Sequence, residues 1–187
     1  MAVQEIYKMG NPKLFESSVP VLEPTSADIR TLLQNMRDTL EYVNGNGLAA
    51  PQIGIKKRVV LYRILSQIIP NGAKTPEIPW TPMINPKITA LNKKKSDIWE
   101  RCLSLPGLYG KVPRFNHIKI NYKTPFGKKV EEVHQGFVAM LLQHECDHLD
   151  GILYPMRMRD IRGLSYLSEI SNDGPFYKYS TKEFDGL

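Results

Sequence analysis

The chain has 187 residues, enough for one ordinary domain with its own core. Hydrophobic residues make up 42% and charged residues 24%, a globular balance that argues against global disorder, and no apolar run reaches the roughly 18 residues of a membrane span. The net charge of +6 fits a solvated basic surface and does not select nucleic acid, a ribosome or an anionic membrane as partner.

The first 25 residues hold Gly10, Pro12, Pro20 and Pro24 among short apolar pieces, which reads as an extended arm with turns. They lack the apolar stretch of a secretory signal, and two cysteines, Cys102 and Cys146, cannot build a disulfide framework. The cytoplasm is therefore the expected location. From Thr25 or Ser26, residues Ile29, Leu32, Leu33, Met36, Leu40 and Val43 follow the rhythm of an amphipathic helix. Asp28 suits its positive end, and Asn44-Gly45 should stop it.

A small-residue stretch follows, Gly45-Asn46-Gly47-Leu48-Ala49-Ala50-Pro51-Gln52, read either as a close backbone approach to a ligand or as a plain turn. Val59 to Tyr62 is an expected buried strand, and residues 64–82 an expected turn-rich excursion with Pro70, Asn71-Gly72, Pro76, Pro79 and Pro82. Met83 to Ile88 reads as a strand with Pro86 near an edge, and Lys93 to Asp97 as a polar turn. Ile98 to Gly107 then reads as a strand running into a tight loop that holds Cys102. Ile118, Ile120 and Tyr122 alternate with polar residues, Thr124-Pro125-Phe126-Gly127 is a turn, and Val130 to Val133 should return as a hairpin. Beyond the last helix, Ile152 to Pro155 reads as extended and Ile161 to Ile170 as a short helix, followed by a polar tail. No repeat or linker divides the chain, so residues 1–187 form a single domain with a C-terminal tail from residue 156.

The stretch from Val138 to Gly151 carries the chemistry. It reads as a helix with His144 and His148 four residues apart, Glu145 beside the first, and a closing glycine. Positions i and i+4 lie about 40° apart around a helix, with Cβ atoms roughly 5–6 Å apart, so both imidazoles can reach one ion. Glu145 is then placed to take a proton from a metal-bound water. Two candidates for a third ligand remain open: Cys102, a soft thiolate donor, and Glu169, about twenty residues past His148 as in thermolysin-like zinc endopeptidases. Cys146 points about 200° away from His144 and reads as a small core residue.

Three stretches together, Gly45 to Gln52, Glu100-Arg101-Cys102-Leu103-Ser104 and Gln143-His144-Glu145-Cys146-Asp147-His148, resemble in order and spacing the motifs of the peptide deformylase family. The resemblance covers roughly residues 8 to 155. It implies an α+β fold, with antiparallel or mixed β-sheets around a central helix that carries the HExxH motif. It implies one divalent metal ion on Cys102, His144 and His148, ferrous iron first, with zinc, nickel or cobalt as alternatives. It further implies removal of the formyl group from N-formylmethionine on nascent polypeptides, releasing formate. Glu145 would act as general base and acid, with the Gln52 amide and the Leu103 backbone N–H as oxyanion donors. Phe137 and Leu141, seven and three residues before His144, are candidates for a methionine pocket, though an apolar stripe there is also ordinary core. Gly47 could offer its backbone to an extended peptide. Expected partners are formylmethionyl nascent peptides and the ribosome near its exit tunnel, with no nucleic-acid site or membrane. A ribosome-associated binding protein without turnover is the non-enzymatic alternative.

Three positions depart from the family pattern. Arg101 stands where glycine is usual, Met140 replaces a common arginine, and the tail beyond about residue 160 does not match the C-terminal helix of many bacterial members. No ligand or base is lost, so an active enzyme is expected, with Arg101 bearing on efficiency and substrate choice.

Overall fold

Ser26 starts the first helix, its hydroxyl accepting the Ile29 N–H, and Asp28 sits in the first turn. The computed structural model describes residues 2–69 and 75–169. In it α1 runs Ala27–Tyr42. Asn44 then turns left-handed (φ 52°), and the Gly45 N–H closes the helix on the Leu40 carbonyl at 2.8 Å. The buried stripe is Ile29, Leu32, Met36 and Leu40, as the periodicity requires.

The helix packs on a sheet of β1 (Gly47–Ala49), β2 (Val59–Ile64), β3 (Ile78–Ala90), β6 (His117–Lys123) and β7 (Lys129–Gln135), in the order β1-β2-β3-β6-β7. Leu48, Val59, Leu61 and Ile84 meet α1 on one face. On the other face Ala49, Val60, Tyr62, Met83, Ile118 and Ile120 meet α2 (Gly136–Leu149) through Val138, Ala139, Leu142, Cys146 and Leu149. Adjacent strand residues serve opposite helices, which is the period-two consequence of the pleat. Cys146 is thus the core residue its position suggested.

A second sheet, β4 (Lys95–Cys102), β5 (Leu105–Phe115) and β8 (Leu164–Tyr166), closes on the far end of α2. Leu14 from the N-terminal arm, Cys102, Leu105, Val112, Leu153 and Tyr154 form the core there. All named strand pairs are antiparallel, and one isolated parallel bridge joins Val19 and Lys57. The architecture is α+β, with antiparallel sheets and few helices. Among the described residues no helix is long and apolar enough to cross a membrane.

Five local expectations need correction. The turn-rich excursion ends earlier than residue 82, because β3 begins at Ile78 and carries Pro79 and Pro82 within it; Pro70 and Asn71-Gly72 lie outside the described residues. Pro86 is in a middle strand, not near an edge, but the pairing with β6 shifts register between Ile84 and Lys87. The bulge absorbs the missing N–H. Asn85 takes a positive φ of 53° there, and its side chain bonds both backbone groups of Val21 at 2.8 Å. The polar turn at Lys93 gives way to strand by Lys95. Ile161 to Glu169 is no α-helix: a 3-10 turn Ile161–Gly163, β8, and another turn Leu167–Glu169 lie along β5. Strand pairing to Leu108–Gly110 prevails over helix formation in so short a segment. Ile170 and the polar tail lie outside the described residues. Likewise Tyr154–Arg157 is a 3-10 turn with Pro155 in its first positions, where an extended piece was expected.

Candidate metal centre

Helix α2 leaves β7 at Gly136, whose φ of 59° suits glycine, and the chain turns away after it at Gly151, where a Cβ would lie 2.5 Å from the Phe15 carbonyl oxygen. Gln143 fastens the helix to β5 by exchanging two hydrogen bonds with the Phe115 backbone, 3.0 Å from its N–H and 2.8 Å to its carbonyl. His144 and His148 then project together, ring centroids 5.0 Å apart and nearly perpendicular at 79°.

The hairpin of β4 and β5 supplies the third group. Cys102 ends β4, and its Sγ is 3.3 Å from His148 Nε2. One ligand atom from each of Cys102, His144 and His148 falls within 4.8 Å of the others, and all three residues are buried. A thiolate and two imidazoles at that spacing suit a divalent transition metal. The orientation fits as well. His144 Nδ1 lies 2.7 Å from Glu100 Oε2, which leaves Nε2 to face an ion. Burial pushes the Cys102 thiol up, but the charge of His148 and hydrogen bonds from His144 and His148 outweigh it and hold it well below the ordinary range.

Glu100 is itself held from behind. Arg114 on β5 grips it at 2.5 Å and 3.0 Å, and reaches Asp147 on α2 at 2.6 Å. Arg157 contacts the other oxygen of Asp147 at 2.9 Å. Burial would raise the Glu100 carboxyl, yet the Arg114 charge and the hydrogen bonds of Arg114 and His144 bring it down to about 2. It therefore stays an acceptor for His144. Tyr154 stacks on the other side of the His144 ring, 6.2 Å between centroids at 26°.

Glu145 is 4% exposed, its Oε2 has no hydrogen-bond partner among the described residues, and burial raises its pKa. Its neighbour explains a glycine. A Cβ on Gly47 would lie 2.2 Å from Glu145 Oε1, so only a residue without a side chain lets β1 pass the carboxyl. Gln52, 1% exposed, is fixed in orientation: its Oε1 accepts the Ala49 N–H at 2.8 Å, and its Nε2 donates to Ser104 Oγ at 3.1 Å and towards Cys102 Sγ at 3.6 Å. Leu103 occupies the turn between β4 and β5, directly after the cysteine.

The residues singled out from the sequence thus gather, with different standing. Cys102, His144 and His148 cluster, Gln52 reaches the Cys102 sulfur, and Gly47 lies against Glu145, the residue next to His144. Phe137 and Leu141 are half-buried at the edge of the α2 core, with Phe137 also against Ile98 and Met140. Glu169, the rival ligand, is exposed, bonds Ser168, and is absent from the cluster. Arg114, Ser104, Gln143 and Tyr154 were missed. Arg114 lies on the inward face of β5 with Gly110 and Val112, but Gly107 and Pro113 hide that alternation in the sequence.

The family model described as polypeptide deformylase matches residues 3–163. The chain belongs to the peptide deformylase family. It is 42% identical over 183 residues to peptide deformylase 1 of Prochlorococcus marinus, covering 98% of this chain and 95% of that protein. It is 39% identical over 164 residues to peptide deformylase 1 of Nitrosomonas europaea, covering 88% and 92%. Among solved structures, a K2U-bound class I type b peptide deformylase from Acinetobacter baumannii superposes with a TM-score of 0.78 at 35% identity, over 84% of this chain and 100% of that one. The Met-Ala-Ser-bound structure of the same Acinetobacter enzyme gives 0.75 at 37% identity, over 84% and 100%. Of the departures from the deformylase pattern, Arg101 does not crowd the cluster: its side chain is exposed, on the strand face opposite Glu100 and Cys102. Met140 is buried against Ile98.

Proposed function

We propose that this chain removes the formyl group from the N-formylmethionine of nascent polypeptides, releasing formate. The observation that carries the reading is the meeting of Cys102, His144 and His148 beside an unpartnered, buried Glu145 carboxyl oxygen. Cys102 Sγ, His144 Nε2 and His148 Nε2 would hold one divalent ion, ferrous iron first, with zinc, nickel or cobalt able to fill the same donor set. Such an ion supplies Lewis-acid chemistry, polarising a carbonyl and bringing the pKa of a water from about 15.7 to about 7.

Glu145 takes the proton of the attacking water at its free oxygen. The water oxygen bonds to the formyl carbon, the carbon–nitrogen bond breaks, and Glu145 returns the proton to the methionine nitrogen. Burial, by raising the Glu145 pKa, makes it a better acceptor for that proton. Gln52 Nε2 and the Leu103 N–H donate to the developing oxyanion; the anchoring of Oε1 on Ala49 keeps the nitrogen end of Gln52 towards the site. β1 is an edge strand, so Gly47 can pair with an extended peptide. Phe137, with Ile98 and Met140 beside it, and Leu141 offer an apolar wall for the methionine side chain. A Met-Ala-Ser peptide on a relative 37% identical supports that choice of first residue. On this reading the protein works in the cytoplasm, with the ribosome near its exit tunnel as a partner.

Formate release from a formyl-methionyl peptide tests the reading, with wild type and Glu145→Ala each loaded anaerobically with ferrous iron or zinc. Wild type should turn over, and Glu145→Ala should lose about 10²–10⁴ in rate. No release by wild type with either metal would overturn it and leave the non-catalytic alternative.

A further inference from the structure

The arm before residue 10 touches the site from outside. Three hydrogen bonds join it to the loops that carry Gln52 and Leu103. The Tyr7 N–H donates to the Gln52 carbonyl at 2.8 Å, the Met9 N–H to the Ser104 carbonyl at 2.8 Å, and Lys8 Nζ to the Leu103 carbonyl at 2.9 Å. Nothing in the arm's sequence is needed for backbone pairing, but the third bond is made by a side chain. Lys8 is exposed and forms no ion pair with any described residue, so among them its ammonium is held by that carbonyl.

The carbonyl it holds belongs to the peptide group between Leu103 and Ser104. The N–H of that same group points the other way, donating to Cys102 Sγ at 3.4 Å. A cation on the oxygen of a peptide polarises its N–H, because the two ends share one conjugated group. Lys8, the Leu103–Ser104 peptide and the Cys102 sulfur therefore form one line of charge-assisted hydrogen bonds. The arm is seated firmly enough to hold that line. Tyr7 lies where a Cβ on Gly54 would be 2.9 Å from its ring, and Leu14, 1% exposed, packs into the cluster containing Cys102.

We propose that Lys8 is a positioning residue for the metal centre, acting through the Leu103–Ser104 peptide to strengthen the hydrogen bond on Cys102 Sγ and to fix the Leu103 turn. This rests on the reading of Cys102 as a ligand. Hydrogen bonds to a ligating sulfur draw on the electrons it would share with the metal, so they tune the centre without touching it. The expected phenotype is electronic and local, not a loss of fold.

Cobalt(II)-loaded protein provides the readout, through the sulfur-to-cobalt charge-transfer absorption in the near ultraviolet. In Lys8→Met that band should move to longer wavelength, because the sulfur loses part of its hydrogen-bond stabilisation, while Lys8→Arg should keep the wild-type position. With the native metal, Lys8→Met should lower kcat roughly 10-fold, the low end for partners behind a ligand, with KM for a formyl-methionyl peptide unchanged. Thermal midpoints of the three proteins should agree, as expected for an exposed side chain without an ion pair. An unmoved band and unchanged kcat in Lys8→Met would overturn the proposal. Absence of any charge-transfer band in the wild type would instead overturn the assignment of Cys102 as ligand, and Lys8 with it.

Discussion

At the scale of single residues, Gly47 is the sharpest case. Its backbone is not in the left-handed region; what demands glycine is the Glu145 carboxyl, 2.2 Å from where a Cβ would be built. Gly47→Ala must therefore move either the strand or the base. The strand is paired to β2 at Tyr62, Leu61 and Val60, so the carboxyl should yield. Displacing a general base forfeits much of its contribution, so kcat should fall by about 10²-fold. Metal content, measured by elemental analysis of the purified variant, should match wild type, because Cys102, His144 and His148 are untouched. Loss of metal along with activity would show that the strand had moved instead. The sequence made Gly47 visible as a small residue near a polar amide, but not its reason. That reason is a helix residue 98 positions later, and only the packing of β1 on α2 brings the two together.

At the scale of elements, the β4–β5 hairpin acts as a lever on helix α2. Cys102 and Glu100 sit on β4, Arg114 on β5, and the pair from Arg114 to Glu100 and Asp147 ties both strands to the histidine helix. Because Glu100 falls to about 2 in the folded chain from an ordinary 4.5, its stabilising contribution is complete above pH 4.5 and disappears as pH drops towards 2. Denaturant titrations of metal-free wild type and Glu100→Gln should show this directly. Between about pH 5.5 and pH 3 the stability advantage of wild type should narrow by about 2 kcal/mol. A gap that stays constant over that range would mean the carboxylate is not the partner that matters. Legibility differed between the two strands. Helix α1 and strand β6 were readable because their buried residues recur at a fixed period, whereas α2, buried on nearly every side, was readable from its histidine spacing and β7 from the turn that precedes it. β5 was not, since Pro106, Gly107 and Pro113 mask its alternation. β3 was foreshortened because Pro79 and Pro82 stand in its first half, which pairs with β2 alone while β6 joins from Ile84, a one-sided pairing that no local pattern announces.

At the scale of the whole molecule, the candidate centre is where separate parts of the chain meet. Cys102 comes from the small sheet, the histidines from α2 in the large sheet's core, and Gln52 from the turn after β1, itself bonded to the N-terminal arm. The sulfur and His148 are 46 residues apart in sequence, so an ion on both ties the small sheet to the helix of the large sheet's core, two sheets that no strand pairing joins among the described residues. An ion that binds the folded chain and not the unfolded one stabilises it by mass action, about 2.7 kcal/mol when free metal is 100 times Kd. For a chain of this size each kcal/mol moves the midpoint by about 2–4 °C. Chelation should then lower Tm by roughly 5–10 °C, and Cys102→Ser should blunt most of that difference, since it removes the ligand that belongs to the small sheet. Calorimetry of loaded and chelated protein, wild type and variant, decides the matter. If chelation stopped formate release yet left Tm unchanged, the ion would serve the reaction without bracing the fold, which would rest on the protein's own links between α2 and the small sheet, the Gln143–Phe115 bonds and the Arg114 network among them.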